Sequence, residues 1–316
     1  MKLKPLVAAV CCAFLSQPAN ATLASFLPTK DGIVVTADKL VNFGNGVTAE
    51  DYNKISPFGK RALVVSTGNI QQTIGNLRFD VNCELVTDSL TFLQRNPSIL
   101  PFMEEIKQNL AQHYLQFLSH TDDPKIWSRF NEKNGIAFTS LILNYNTQSG
   151  QYEGIQLAAV VLPNTKQVQV TCGALNKENF DFSRLTALGG NPVYGKIENR
   201  QPPFDGIANE PWCQEFIFLK PPASNTEQNE AISATTSMQE LVHKEYPNLV
   251  GTLEDVAVLS PTGVEWKFEN AQPSDIKRAL TQQCSWTWIQ GLLIVTALFG
   301  AIGLGYWVLQ KLKVKK

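Results

Sequence analysis

Residues 19–26 read Ala19-Asn20-Ala21-Thr22-Leu23-Ala24-Ser25-Phe26, and after three intervening residues comes Lys30-Asp31-Gly32-Ile33-Val34-Val35-Thr36-Ala37-Asp38. The fold turns on how these two stretches are read. Residues 1–21 have the makeup of a secretory signal: Lys2 and Lys4 at a charged start, an apolar run from Pro5 to Leu15 too short to span a membrane, and Ala19-x-Ala21 as a small-residue cleavage site. Cleavage after Ala21 starts the mature chain at Thr22. A terminal threonine carries a hydroxyl nucleophile and a free α-amine on one residue. The reference pKa of that amine is about 7.7, so it accepts a proton near neutrality without the large shift a lysine needs.

Working outward, the short apolar segment after Thr22 leads to a turn at Lys30-Asp31-Gly32 and a second strand, Ile33 to Ala37, ending at Asp38. Asn53-Lys54-Ile55 and Leu63-Val64-Val65-Ser66-Thr67-Gly68-Asn69 follow. Asp38, Lys54 and Gly68 stand 16, 32 and 46 residues after Thr22. In this order and spacing the chain resembles the proteasome β-type family of N-terminal nucleophile hydrolases, including the bacterial proteasome-like protease. The match is most specific over residues 22–70, where Asp31 to Asp38 fit that family's D/H-G-[IV]-[IV]-x-[AT]-A-D pattern, and extends in fold to about residue 266.

The resemblance implies four roles. Thr22 attacks a carbonyl through its hydroxyl oxygen while its α-amine relays the proton. Lys54 places a positive charge beside both groups, favouring the neutral amine and the developing alkoxide. Asp38 pairs with Lys54 and fixes it. The backbone N–H of Gly68 donates to the oxyanion. It also implies an α+β fold, the four-layer αββα sandwich of these hydrolases. Two features depart from the family pattern: no serine stands in the turn Leu188-Gly189-Gly190-Asn191, and Tyr246-Pro247-Asn248-Leu249 lacks the expected Asp and Ser before the closing strands. They favour a rival reading, a catalytically silent proteasome-like binding or scaffold protein. A second rival is an uncleaved, doubly anchored protein in which Thr22 stays blocked.

Beyond Gly68 the apolar period changes. Ile70, Ile74, Leu77, Val81 and Leu85, continued by Leu90 and Leu93, predict one helix ending at Asn96-Pro97, and Phe102, Ile106, Leu110, Tyr114 and Leu118 predict a second from about Pro101 to Ser119. Both are expected to cover one side of a sheet. Ala137–Tyr145, Gly154–Leu162 and Gln167–Leu175 read as an antiparallel meander. Residues 42–57 read as a polar loop, and 202–227 as a loop with one embedded strand, Phe216–Leu219. Asn229–Tyr246 reads as a helix, and Asp255–Trp266 as strand, turn and strand.

Trp286 to Leu309 is apolar apart from Thr287, Gln290 and Thr296, has Trp and Tyr near both ends, and is followed by four lysines, Lys311, Lys313, Lys315 and Lys316. These are the marks of a membrane span with a basic cytoplasmic tail. The expected organisation is a signal peptide over 1–21, a hydrolase-like domain over 22–269, a linker over 270–285, a transmembrane helix over 286–309 and a cytoplasmic tail over 310–316. This puts the catalytic domain in the periplasm, tethered to the inner membrane.

At 316 residues, 44% hydrophobic and 17% charged, the chain can bury a substantial core, and its net charge of -1 gives no argument for nucleic acid. Cys83, Cys172, Cys213 and Cys284 remain after cleavage, without a C-x-x-C pair, and permit three disulfide pairings. The spacing of these cysteines and of the isolated His113, His120 and His243 does not suit zinc, and no cofactor is expected. The expected partner is a peptide or small amide substrate. The resemblance also allows a homo-oligomer, but an anchor on every subunit constrains stacking, so the family's barrel assembly is not carried over.

Overall fold

The computed structural model describes residues 23–42, 48–50, 52–74, 77–121, 123–128, 130, 135–175, 186–188, 191–247, 250–252 and 254–267. The signal segment, Thr22 and everything from residue 268 onward lie outside the described residues. The chain divides between Pro273 and Ser274, and every described element belongs to the first unit.

Two five-stranded antiparallel sheets carry the fold. In the first the order is β12 (Thr186–Leu188), β1 (Ala24–Pro28), β2 (Ile33–Asp38), β13 (Glu254–Ser260) and β14 (Gly263–Trp266). In the second it is β11 (Gln167–Leu175), β10 (Gln151–Leu162), β9 (Ile136–Asn146), β6 (Ala62–Gly68) and β5 (Ile55–Phe58). β3 (Leu40–Asn42) pairs with β4 (Thr48–Glu50), and β7 (Gln71–Ile74) with β8 (Leu77–Asp80). The helices are α1 (Val81–Leu93), α2 (Met103–Ser119), α3 (Pro124–Ser128), α4 (Asn191–Glu198) and α5 (Gln228–Glu245).

Three apolar clusters fix the layering. Between the sheets, Phe26, Val35, Ala37 and Leu259 meet Ile55, Leu63, Val65 and Leu141. On the outer face of the first sheet, Leu27, Val34 and Val258 pack with Ala234, Met238 and Val242 of α5. On the outer face of the second, Val64, Ile142 and Leu157 pack with Leu85 of α1 and Ile106 and Leu110 of α2. A sheet covered on both faces needs strands apolar on both faces, which is why Ile33 to Ala37 and Leu63 to Val65 are β-rich runs without alternation. The mixed α/β architecture with antiparallel sheets, the meander, α2, α5 and the closing strand pair agree with the sequence reading.

Three segments differ from it. The stretch expected as one helix from Ile70 begins as the β7–β8 hairpin, and the helix starts only at Val81. Asp80 sets that start: its carboxylate accepts from the Cys83 N–H at 3.1 Å and from the Tyr52 hydroxyl at 2.8 Å. The polar stretch 42–57 contains β4 and the beginning of β5. Phe216–Leu219, expected as a strand, belongs to a helical turn running from Gln214 to Leu219 and ended by Lys220 in the left-handed conformation (φ 53°). Its aromatic and β-branched residues have strand propensity, but burial of Phe216 and Ile217 under the first sheet decides the outcome.

Gly68 ends β6 at φ +94°, and a Cβ built there meets the Ala137 carbonyl oxygen at 2.7 Å and Phe138 Cα at 2.9 Å. Both contacts are with backbone and have nowhere to move. Gly68→Ala is therefore expected to destabilise the protein by about 1–3 kcal/mol, read from the urea denaturation midpoint.

Among the described residues no helix is long and apolar enough to cross a membrane. The expected span over 286–309 lies outside them.

Candidate active site

Asp38, the last residue of β2, is fully buried and accepts four donors. Its Oδ1 takes the Leu23 N–H at 2.9 Å. Its Oδ2 takes Lys54 Nζ at 2.8 Å, the Leu40 N–H at 3.1 Å and the Gly251 N–H at 3.2 Å. These donors come from the start of β1, the approach to β5, the strand after β2 and the turn before β13, so one carboxylate gathers both sheets at a single end. Lys54 is 1% exposed and Asp38 0%. A buried ion pair of this kind holds only where the remaining lone pairs are satisfied, and here three backbone N–H groups do so.

The β1–β2 ladder continues the same construction. The Asp38 N–H donates to the Leu23 carbonyl at 3.2 Å, and the Gln239 amide of α5 reaches that carbonyl at 3.4 Å. Leu23 is thus held at both its N–H and its C=O. Of the four sequence candidates, Asp38 and Lys54 are in direct contact. Gly68 lies on β6 two residues beyond Ser66, whose N–H donates to the Lys54 carbonyl at 3.3 Å. Thr22 falls outside the described residues.

Sequence reasoning passed over three residues. Asn82, in the first turn of α1 and fully buried, donates from Nδ2 to the carbonyls of Lys54 (2.9 Å) and Asn53 (3.3 Å) and to Ser56 Oγ (3.0 Å). It clamps the backbone that carries Lys54. Asn82→Ala removes a buried donor from all three groups, although the Lys54 carbonyl keeps the Ser66 N–H, and a loss of about 1–3 kcal/mol in unfolding free energy is expected in urea titrations.

The other two are Lys39 and Asp255. Asp255 lies opposite Ala37 in the β2–β13 ladder, 1% exposed, with Lys39 Nζ 3.4 Å from its Oδ1. Burial pushes the Asp255 carboxyl up to about 6, against the opposing pull of Lys39 and Lys54 and with Asp38 adding to the rise. The folded state therefore holds this proton more tightly than the unfolded chain. The resulting stabilisation is full below the ordinary value of 3.8 and is lost as pH rises through about 6. A signal for Asp255 existed: residues 255, 257 and 259 share the inward face, and an acid at the first of these is out of pattern.

Cysteine chemistry does not compete at this site. Cys172 and Cys213 are free thiols, pushed up by burial to about 12 and about 11, so neither supplies a thiolate near neutral pH. Among the described residues no three His, Cys, Asp or Glu side chains come together as metal ligands.

No family model matches the chain, and neither does any curated protein. Among solved structures it is similar to the Gly-1 mutant of Anbu from Hyphomicrobium sp. strain MC1, with a TM-score of 0.43 and 12% identity, over 86% of this chain and 96% of that one.

Proposed function

We propose that the chain is an N-terminal threonine hydrolase of the four-layer αββα type, exported by residues 1–21, activated by cleavage after Ala21 and held at the inner membrane by residues 286–309. The observation that carries this reading is the geometry of Asp38. One of its oxygens holds Lys54 and the other holds the Leu23 N–H. That N–H belongs to the peptide bond joining Thr22 to Leu23, and covalent geometry alone puts the Thr22 Cα about 2.4 Å from this nitrogen. The buried cation and the residue before β1 are thus tied to one carboxylate.

In this reading Thr22 Oγ attacks the carbonyl carbon of an amide and its proton passes to the α-amine. Lys54 stabilises the developing charge, and the Gly68 N–H donates to the oxyanion. Collapse of the intermediate breaks the C–N bond, the α-ammonium returns its proton to the leaving amine, and an ester on Thr22 remains. Water cleaves that ester, with the same α-amine accepting its proton. The substrate class is a peptide or a small amidated compound. Supporting the reading are the register of Thr22, Asp38, Lys54 and Gly68 and the burial of the Lys54–Asp38 pair, which a surface charge pair would not need.

N-terminal sequencing of the membrane-extracted protein tests it. The expected first residue is Thr22. A start at any other residue separates the general base from the nucleophile and ends the hydrolase reading.

A further inference from the structure

The contacts around Lys54 continue past the groups that touch it. Asp38 fixes its ammonium and Asn82 its backbone. A third line arrives from β13. Asp255 lies 3.4 Å from Lys39 Nζ, the same ammonium donates to Asn53 Oδ1 at 3.2 Å, and Asn53 is covalently joined to Lys54. Beyond the Lys39 ammonium, neither carboxylate oxygen of Asp255 has a hydrogen-bond partner among the described residues, although the group is almost completely buried. A buried acid left in this condition is costly, and an apolar residue in line with Ala257 and Leu259 would pack there without penalty. The carboxylate is explained by what it does to Lys39.

We propose that Asp255 is a positioning residue for Lys54, acting through Lys39 and Asn53. With Asp255 ionised, Lys39 is held inward over the Asn53 side chain and the approach to β5 is pinned from the β13 side. With Asp255 protonated, the Lys39 ammonium loses its counter-charge. It is 16% exposed and has water within reach, so it turns outward and Asn53 loses its donor. Lys54 then keeps its contacts with Asp38 and Asn82 but loses the support that reaches it through Asn53. The charged groups that bear on Asp255 are Lys39 and Lys54, which favour its anion, and Asp38, which opposes it; burial, with Asp38 acting in the same direction, outweighs the two lysines and sets the changeover at about pH 6. The positioning rests on the hydrolase reading only for its catalytic consequence.

The test uses the full chain with isotope-labelled lysine and follows the Lys39 and Lys54 side-chain NMR signals from about pH 5 to about pH 8, assigned with Lys39→Arg and Lys54→Arg. Both signals are expected to step together near pH 6 in the wild type. The step should vanish in Asp255→Asn, persist in Asp255→Glu, which keeps the carboxylate, and disappear at Lys54 in Lys39→Met. Acylation of Thr22 by a β-lactone is timed in the same samples. It should slow roughly ten- to a hundredfold in Asp255→Asn at neutral pH and recover in Asp255→Glu. A Lys54 step that survives in Asp255→Asn or Lys39→Met overturns the proposal. If the wild type is never acylated while the Lys54 step still depends on Asp255, the positioning stands and the hydrolase reading falls.

Discussion

Thr22→Ala is expected to abolish both amide hydrolysis and labelling by β-lactone or epoxyketone electrophiles, while Thr22→Ser keeps part of each. Alanine retains the α-amine and loses the oxygen that forms the covalent bond, so no acyl-enzyme forms. Serine retains amine and hydroxyl and loses only the methyl that restricts rotation about χ1. Lys54→Ala and Asp38→Asn should lower the rate by about a hundredfold or more, the first by removing the positive charge beside the alkoxide and the second by misplacing that charge. Mass spectrometry of labelled wild type beside the four variants, each checked for folding, is the measurement. Labelling that survives in Thr22→Ala places the nucleophile elsewhere. A wild type that starts at Thr22 and takes no label favours the scaffold reading.

The same pair governs stability, and the two partners are not equivalent. Lys54→Met removes the ammonium but leaves Asp38 with three backbone N–H donors, from Leu23, Leu40 and Gly251. Asp38→Ala removes the acceptor of all three and the counter-charge of Lys54 at once. Breaking a buried pair costs about 3–5 kcal/mol. Lys54→Met is expected near the lower end of that range and Asp38→Ala at or beyond the upper end, compared by urea denaturation. Equal losses would show that the ion pair, rather than the backbone donors, carries the energy. Because both changes weaken the fold, rate effects are read well below each variant's unfolding midpoint.

How much of this the sequence disclosed depends on how local the determining physics is. The Asp38–Lys54 contact was legible only as what the family resemblance of residues 22–70 implies. The meander was legible from three long β-rich runs parted by Asn146 to Gly150 and Pro163-Asn164. The β7–β8 hairpin was not, since Ile70, Ile74, Leu77 and Val81 satisfy a helical period by coincidence while Gly75-Asn76 between the strands is the stronger, overlooked turn signal. The helical turn at Gln214–Leu219 depends on apolar surface supplied by α5 and β1, which no local pattern encodes. Asn82 and Asp255 escaped because each acts on a residue about 28 or more than 200 positions away.

β2 sits between β1, completed within the first 28 residues, and β13, which begins only at Glu254. Until that distant strand arrives, one flank of Ile33-Val34-Val35-Thr36-Ala37 is an open row of peptide groups on an apolar ribbon. Asp38 likewise waits for the Gly251 N–H. Sheet closure across some two hundred residues is slow relative to local folding and exposes sticky intermediates. The chain's vulnerable period is therefore its assembly, before the last strand docks, and truncations ahead of Glu254 should yield aggregates instead of a smaller folded core.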